Sequence, residues 1–239
     1  MIGIIVELLL SWLLLWLFER RHLSALGLLP TRQRILAFLQ GFLLPIVYLA
    51  AFYWIVSGLV KNPYRLNPHY TWKGFESTVA YLLRSVAYED LIFRGALLYI
   101  LIRRIGPRTA VLASAISFGI YHWFSFSVFG QPMQMGVVFI TTGMVGYVFA
   151  LAFEKTRSVY LPFALHFGVN FAIMILFSQD KGVGPQLLLK TFEKDPATPG
   201  TVVSLLVMVV YFIGLPLLLL CWLRWIKPVA DSQIAAKKN

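Results

Sequence analysis

The chain has 239 residues, of which 59% are hydrophobic and only 13% are charged. Soluble globular domains average about 25% charged residues, so this composition excludes an ordinary soluble domain and indicates an integral membrane protein. The mean hydropathy of +0.76 agrees. At that hydropathy the net charge of +11 indicates a topology signal rather than a nucleic-acid-binding surface, and we expect no nucleic-acid partner. The single cysteine, Cys221, excludes an intramolecular disulfide and a CxxC site.

Seven apolar runs are each long enough to cross a bilayer as a helix, which takes about 20 residues. They lie at 2–18, 35–60, 77–102, 109–129, 132–153, 158–177 and 201–223. We therefore predict an all-α, polytopic transmembrane helical bundle with about seven spans (seven or eight). It is expected to form a single integral membrane domain over residues 1–239, with a motif-bearing core at 77–177.

The distribution of Lys and Arg predicts an orientation in the membrane. Thirteen of these residues lie in one set of connections and six in the other: the first set is 19–34, 103–108, 154–157 and the tail 224–239, and the second is 61–76 and 178–200. Because cytoplasmic loops carry the excess of Lys and Arg, we predict a cytoplasmic C-terminus and an N-terminus outside. We expect a multi-pass protein in the lipid bilayer of a bacterial-type plasma membrane. The sequence makes no prediction about the oligomeric state.

Three charged residues interrupt the apolar run 77–102, namely Glu89, Asp90 and Arg94. An ionised residue near the centre of a membrane helix costs about 2.5–3.5 kcal/mol, so incidental charges are not expected there. Asp90 and Arg94 are four residues apart on one helical face and are predicted to form an ion pair. Glu89 points about 100° away from Asp90 and therefore needs another partner.

Two histidines also lie inside apolar runs, His122 and His166. The midpoints of the three runs place Glu89, His122 and His166 within about 5 Å of the midplane, so three helices can deliver them to one cavity. Asn170 shares a helical face with His166 and adds a neutral amide. Phe118, four residues before His122, is expected to form a wall of this cavity.

Several roles are compatible with these polar residues. A purely structural role is one, because such side chains can hold helices together through hydrogen bonds within the membrane. Glu89, His122 and His166 also resemble a three-ligand catalytic zinc site with one open position. A proton relay in a transporter is a further role, which the absence of an internal repeat disfavours.

In sequence order, Glu89-Asp90-x-x-x-Arg94, Phe118-x-x-x-His122 and His166-x-x-x-Asn170 resemble the three motifs of the CPBP family of intramembrane proteases. This family includes the type II CAAX prenyl endopeptidases and Abi-like bacteriocin-processing or immunity proteins. The resemblance covers about residues 77–170. The family pattern has two adjacent glutamates in the first motif, whereas the second carboxylate here is Asp90.

The resemblance implies an endopeptidase that hydrolyses a peptide bond in a membrane-associated or lipidated protein or peptide. Glu89 would activate water, His122 would help to hold it, and His166 and Asn170 would stabilise the oxyanion. Asp90, Arg94 and Phe118 would support these groups. A glutamate-type enzyme would need no cofactor, whereas a metalloenzyme would use zinc. The alternative is a non-catalytic immunity or scaffold protein of the same fold, and a proton-coupled transporter is a third hypothesis.

Overall fold

The computed structural model describes residues 2–178, 186–193 and 195–228. The predicted connection 178–200 and the predicted tail 224–239 therefore lie partly outside the described residues. The α-helices are α1 (Ile2–Glu19), α2 (Arg32–Leu59), α3 (Trp72–Arg94), α4 (Ala96–Ile105), α5 (Pro107–Ser125), α6 (Pro132–Thr156), α7 (Tyr160–Phe171), α8 (Thr201–Val209) and α9 (Leu215–Leu223). A short 3-10 helix, Leu23–Leu26, follows α1.

The predicted fold class of an all-α membrane protein is confirmed. Four helical segments among the described residues are long and apolar enough to cross a membrane: Ile2–Glu19, Arg32–Leu59, Pro132–Thr156 and Thr201–Leu223. A shorter apolar segment extends over Tyr160–Leu176. The sequence did not predict the two-stranded antiparallel ribbon, in which β1 (Tyr64–Leu66) pairs with β2 (Leu188–Lys190).

The prediction of one continuous helix over 77–102 is wrong, because the backbone leaves the helical conformation at Gly95. This glycine has φ −92° and ψ −136° and separates α3 from α4. A methyl group at this position would overlap the carbonyl oxygen of Leu91, so glycine permits a close approach of the main chain that a larger residue would block. With ten residues, α4 is only about 15 Å long and cannot cross a bilayer alone.

The helix predicted at 109–129 begins and ends earlier than expected. Pro107 occupies the first turn of α5, where its missing N–H costs nothing, and the helix ends at Ser125. The turn that follows contains two residues in the left-handed region, Ser127 (φ 54°) and Gly130 (φ 88°). His122 consequently lies in the last turn of its helix, farther from the helix centre than predicted.

Two of the predicted helices contain π-helical segments, at Ala172–Leu176 and Val210–Gly214. Such segments disturb the regular hydrogen-bond ladder, which is costly for backbone groups in a membrane. In the second segment the Tyr48 hydroxyl donates to the Val210 carbonyl oxygen at 2.8 Å. Gly214 leaves the space for that hydroxyl, because a methyl group at this position would overlap it.

The chain divides into two compact units, one of residues 1–37, 87–163 and 218–239 and the other of residues 38–86 and 164–217. All four boundaries fall inside helices, namely α2, α3, α7 and α9. The single membrane domain over residues 1–239 stays a prediction.

The first unit has an apolar core and a cluster of basic connections. Its core includes Leu15, Leu26, Tyr99 and Phe153, which are at most 2% exposed. The basic connections contact one another in this unit: Arg103 and Arg104 both pair with Glu19, and Lys155 donates to Ile226. Two residues after the connection 154–157, the Val159 N–H donates to Leu26. These contacts fit the predicted grouping of 19–34, 103–108, 154–157 and the tail on one side of the membrane.

The second unit contains the ribbon and the aromatic packing of α7 on α2. The Phe42 ring lies 5.4 Å from the ring of Phe167 and 5.3 Å from that of Phe171. Gly168 permits this packing, because a methyl group there would overlap the Phe42 carbonyl oxygen. The phenylalanines thus fix which face of α7 is turned toward α2.

Candidate active site

The predicted ion pair between Asp90 and Arg94 is present. Arg94 Nη1 donates to Asp90 Oδ1 at 2.9 Å, and the side chains of Arg94 and Asp90 are only 0% and 3% exposed. The spacing of four residues along α3 makes this contact possible within one turn. A buried pair of this kind neutralises two charges that would each be expensive alone.

The Arg94 guanidinium lies among aromatic rings. Its Cζ atom is 3.9 Å from the ring centroid of Phe118, 5.2 Å from that of Phe149 and 5.7 Å from that of Phe93. At such distances the negative ring faces attract a cation, and the attraction is stronger where water is excluded. Arg94 is therefore stabilised by rings from α3, α5 and α6 as well as by Asp90.

Glu89, which was predicted to need a partner other than Asp90, faces His122. Its Oε2 atom lies 4.0 Å from Nε2 of His122, and both residues are buried. This distance exceeds a direct hydrogen bond. The two side chains therefore face each other across a gap, one from the end of α3 and the other from the last turn of α5.

The tautomer of His122 follows from a second contact. Its Nδ1 atom lies 2.8 Å from the carbonyl oxygen of Phe118. A carbonyl oxygen can only accept, so Nδ1 carries the proton and the neutral ring keeps its lone pair on Nε2. In the neutral ring, the atom that faces Glu89 is thus the basic nitrogen of the imidazole.

Aromatic rings also enclose His122. The ring centroids of Phe118, Tyr121 and Phe126 lie 4.4, 5.3 and 5.1 Å from that of His122. The sequence predicted only that Phe118 would form a wall of the cavity. In the structure Phe118 has three contacts with the site: its carbonyl oxygen accepts from His122, its ring packs against the imidazole, and its ring face receives Arg94.

Three further residues that support the site were not predicted from the sequence. Ser114 Oγ donates at 2.8 Å to the Phe93 carbonyl oxygen, just before the helix break at Gly95. Gly146 on α6 makes room for Phe118, because a Cβ atom there would lie 2.7 Å from the Phe118 ring. Gly119 makes similar room for Phe139, with a distance of 2.8 Å. Of these three residues, only Ser114 could have been found from the sequence, since it lies four residues before Phe118 and so shares its helical face.

His166 and Asn170 lie on α7 in the second unit, four residues apart as predicted. His166 is buried, at 5% exposure, and Asn170 is half-buried. The structure therefore brings Glu89, Asp90, Arg94, Phe118 and His122 together in the first unit. That His166 and Asn170 act in the same site stays a prediction.

The zinc hypothesis requires a set of metal-binding side chains. Across residues 2–178, 186–193 and 195–228, no group of three or more His, Cys, Asp or Glu side chains is placed to hold a metal ion. Glu89 and His122 supply two of the three ligands that a catalytic zinc site takes. The zinc hypothesis stays a prediction.

A comparison with models of known protein families tests the resemblance to the CPBP family. Residues 71–172, which carry all three motifs, match the family model described as "Rce1-like: Type II CAAX prenyl endopeptidase Rce1-like". The resemblance to the CPBP family is confirmed. This Rce1-like match covers somewhat less than half of the chain and supports an intramembrane protease of the CAAX type in general. No curated protein and no solved structure matches the chain.

Proposed function

We propose that the protein is an intramembrane endopeptidase of the glutamate type, which hydrolyses a peptide bond in a membrane-associated or lipidated protein or peptide. The observation that carries the proposal is the 4.0 Å approach of Glu89 Oε2 to His122 Nε2 in buried surroundings. Its other supports are the fixed tautomer of His122 and the Rce1-like match over residues 71–172. The substrate class comes from the description of the matched family.

The gap between Glu89 and His122 suits one water molecule. If a water oxygen lay about 2.8 Å from both atoms, the angle between its two contacts would be about 90°, close to the angle between the two O–H bonds of water. The carboxylate oxygen and the imidazole lone pair are both acceptors, so each would take one of its protons. The lone pairs of the water oxygen then point away from both residues and toward a substrate.

In the proposed reaction this water attacks the carbonyl carbon of the scissile peptide bond while Glu89 takes one of its protons. The carbonyl oxygen gains a negative charge, which His166 and Asn170 would stabilise by donating hydrogen bonds. When the tetrahedral intermediate collapses, the C–N bond breaks and Glu89 returns the proton to the leaving amine. General base catalysis of this kind contributes about 10²–10⁴-fold to a rate.

The proposed topology places the catalytic reaction in a plasma membrane of the bacterial type, with the C-terminus cytoplasmic. Contacts among the four basic connections of the first unit support their placement on a common side. By the positive-inside rule that side is the cytoplasm. Residues 229–239, which include the C-terminus, lie outside the described residues.

The experiment that tests the proposal compares Glu89→Gln with Glu7→Gln. Glu7 is the matched control, since it is a second carboxyl within an apolar helix, on α1, outside the group around His122. Purified protein in liposomes is given a farnesylated peptide that ends in a CAAX sequence, and the released fragment is measured by mass spectrometry. We expect Glu89→Gln to lower kcat by at least about 10³-fold and Glu7→Gln to leave it within about twofold.

The same variants separate hydrolysis from a non-catalytic immunity or scaffold role. A scaffold would complement a deletion strain equally well with Glu89→Gln or with a His122→Ala, His166→Ala double variant. A protease would fail to complement the deletion with either variant. Full cleavage activity in well-folded Glu89→Gln would overturn the proposed mechanism.

A further inference from the structure

We propose that Arg94 acts on His122 through the aromatic ring of Phe118, so that Arg94 and Phe118 are positioning residues for the imidazole. The inference rests on the proposed function, because it concerns how the water-binding nitrogen of His122 is aimed at Glu89. The three side chains form a continuous series of contacts in the first unit, from the guanidinium over the phenyl face to an edge-on contact with the imidazole.

The first contact in this series is the guanidinium on the face of Phe118, with 3.9 Å from Cζ to the ring centroid. Of the guanidinium nitrogens, Nη1 bonds to Asp90, whereas Nε and Nη2 have no hydrogen-bond partner among the described residues. A buried cation with unused donors gains most from aromatic faces, and a planar guanidinium can lie flat against one. The position of Arg94 therefore favours one orientation of the Phe118 ring.

The second contact is the Phe118 ring against the imidazole of His122. The ring centroids are 4.4 Å apart with an interplanar angle of 66°. Phe118 is only 1% exposed, and its ring lies so close to Gly146 that a methyl group there would collide with it. A phenyl ring confined in this way leaves the imidazole few orientations.

The main chain completes the arrangement. The Phe118 carbonyl oxygen holds Nδ1 of His122, so the ring plane can still rotate about that hydrogen bond unless a neighbour prevents it. The Phe118 ring, whose centroid is nearer to the imidazole than those of Tyr121 and Phe126, contributes most to that restraint. A misplacement of about 1 Å at a catalytic group can cost about 10²-fold in rate. Loss of the contacts that Arg94 and Phe118 provide would therefore lower kcat rather than substrate affinity.

The experiment replaces Phe118 by 4-fluoro-, 3,5-difluoro- and 3,4,5-trifluorophenylalanine in the full-length protein. Fluorine withdraws electron density from the ring face and weakens its attraction for a cation while the shape of the side chain is almost unchanged. The matched control is the same series at Phe153, which is equally buried in the apolar core of the first unit. Cleavage of the farnesylated CAAX peptide gives kcat and KM.

We expect kcat to fall stepwise with the number of fluorines at position 118, by about tenfold in total, with KM unchanged and with no trend at position 153. A kcat that does not change along the series at 118, or that falls equally at both positions, would overturn the inference. Phe118→Leu, which keeps the carbonyl oxygen but removes the aromatic face, is expected to lower kcat at least as much as the trifluoro variant.

A second readout does not depend on activity. The protein is labelled with ¹⁵N-histidine, and the ring signals of His122 are assigned by their absence in His122→Gln. These signals report the tautomer of the ring and any exchange between its orientations. We expect the Nδ1–H tautomer in both proteins, with sharp signals in the unsubstituted protein and, in the trifluoro variant at 118, signals broadened by exchange between orientations of the imidazole. If the unsubstituted protein cleaves no peptide, the proposed function fails, and these signals alone decide the inference: broadening supports it and identical spectra overturn it.

Discussion

The Nδ1 atom of His122 lies 2.8 Å from the carbonyl oxygen of Phe118, one turn earlier in the same helix. Phe118 lies within α5, seven residues before its end at Ser125, and a carbonyl oxygen has two lone pairs, so it can accept from the imidazole as well as within the helix. The helix backbone thus provides an acceptor that selects the histidine tautomer. The nitrogen that faces Glu89 is thus set by main-chain geometry, which a side-chain substitution at position 118 leaves in place.

Substitutions of His122 should reveal which nitrogen matters. The amide of Asn reaches the position of Nδ1, whereas the longer Gln places its amide near Nε2. We expect both His122→Asn and His122→Gln to reduce kcat by about 10²-fold or more, with Gln retaining at least about fivefold more activity than Asn. Steady-state kinetics on the CAAX peptide provide the measurement. More activity in Asn than in Gln would contradict the assigned tautomer.

Gly146→Ala should damage the site through Phe118. Because the added methyl group would lie 2.7 Å from the Phe118 ring, that ring must shift and the His122 ring must shift with it. We expect at least about a tenfold loss of kcat and an overpacking cost of about 1–3 kcal/mol in stability. Gly136→Ala on the same helix is the control, since a methyl group there meets nothing within 4 Å. Equal activity of the two variants would show that Phe118 tolerates displacement.

The buried pair of Asp90 and Arg94 should be more sensitive to single than to double substitution. Asp90→Asn or Arg94→Met leaves one buried charge without its partner, which costs about 3–5 kcal/mol, whereas the double variant leaves neither charge. We expect thermal unfolding in detergent at a higher temperature for the double variant than for either single variant. Arg84→Met, at an exposed position of α3, is the control and should change stability by at most about 0.5 kcal/mol. Additive effects of the two single substitutions would argue against the pair.

Metal chelation separates the glutamate-type mechanism from a metalloenzyme. Among the described residues, no group of three or more His, Cys, Asp or Glu side chains is placed to hold a metal ion. We therefore expect 1,10-phenanthroline to leave kcat within about twofold, measured alongside the metal content of the purified protein. Loss of activity on chelation that added Zn²⁺ restores would establish the metalloenzyme instead.

The sequence predicted those parts of the site that depend on spacing along one helix. Asp90 and Arg94 are four residues apart, so their ion pair required only that α3 be helical. The expected placement of Glu89 away from Asp90 followed from the same periodicity. The fold class followed from the length of the apolar runs, since an uninterrupted run of about 20 residues has few other stable forms in lipid.

The sequence could not predict features that arise from contacts between helices. The break at Gly95 lies inside an apolar run, and one glycine there is compatible with a continuous helix. The stacking of Arg94 on Phe118 and the room provided by Gly146 depend on how α3, α5 and α6 pack, which hydrophobic periodicity does not specify. The ribbon of β1 and β2 joins segments more than a hundred residues apart, and each strand is too short to give a pattern.

The break at Gly95 also bears on hydrophobic mismatch. Without it, residues 72–105 would form one rod of about 50 Å, against a hydrocarbon core of about 30 Å. Two shorter helices need no steep tilt. The break also leaves the carbonyl oxygen of Phe93 in need of a donor, and the Ser114 hydroxyl of α5 donates to it. The hydrogen bond from Ser114 thereby ties the segment that carries Glu89 to the helix that carries His122.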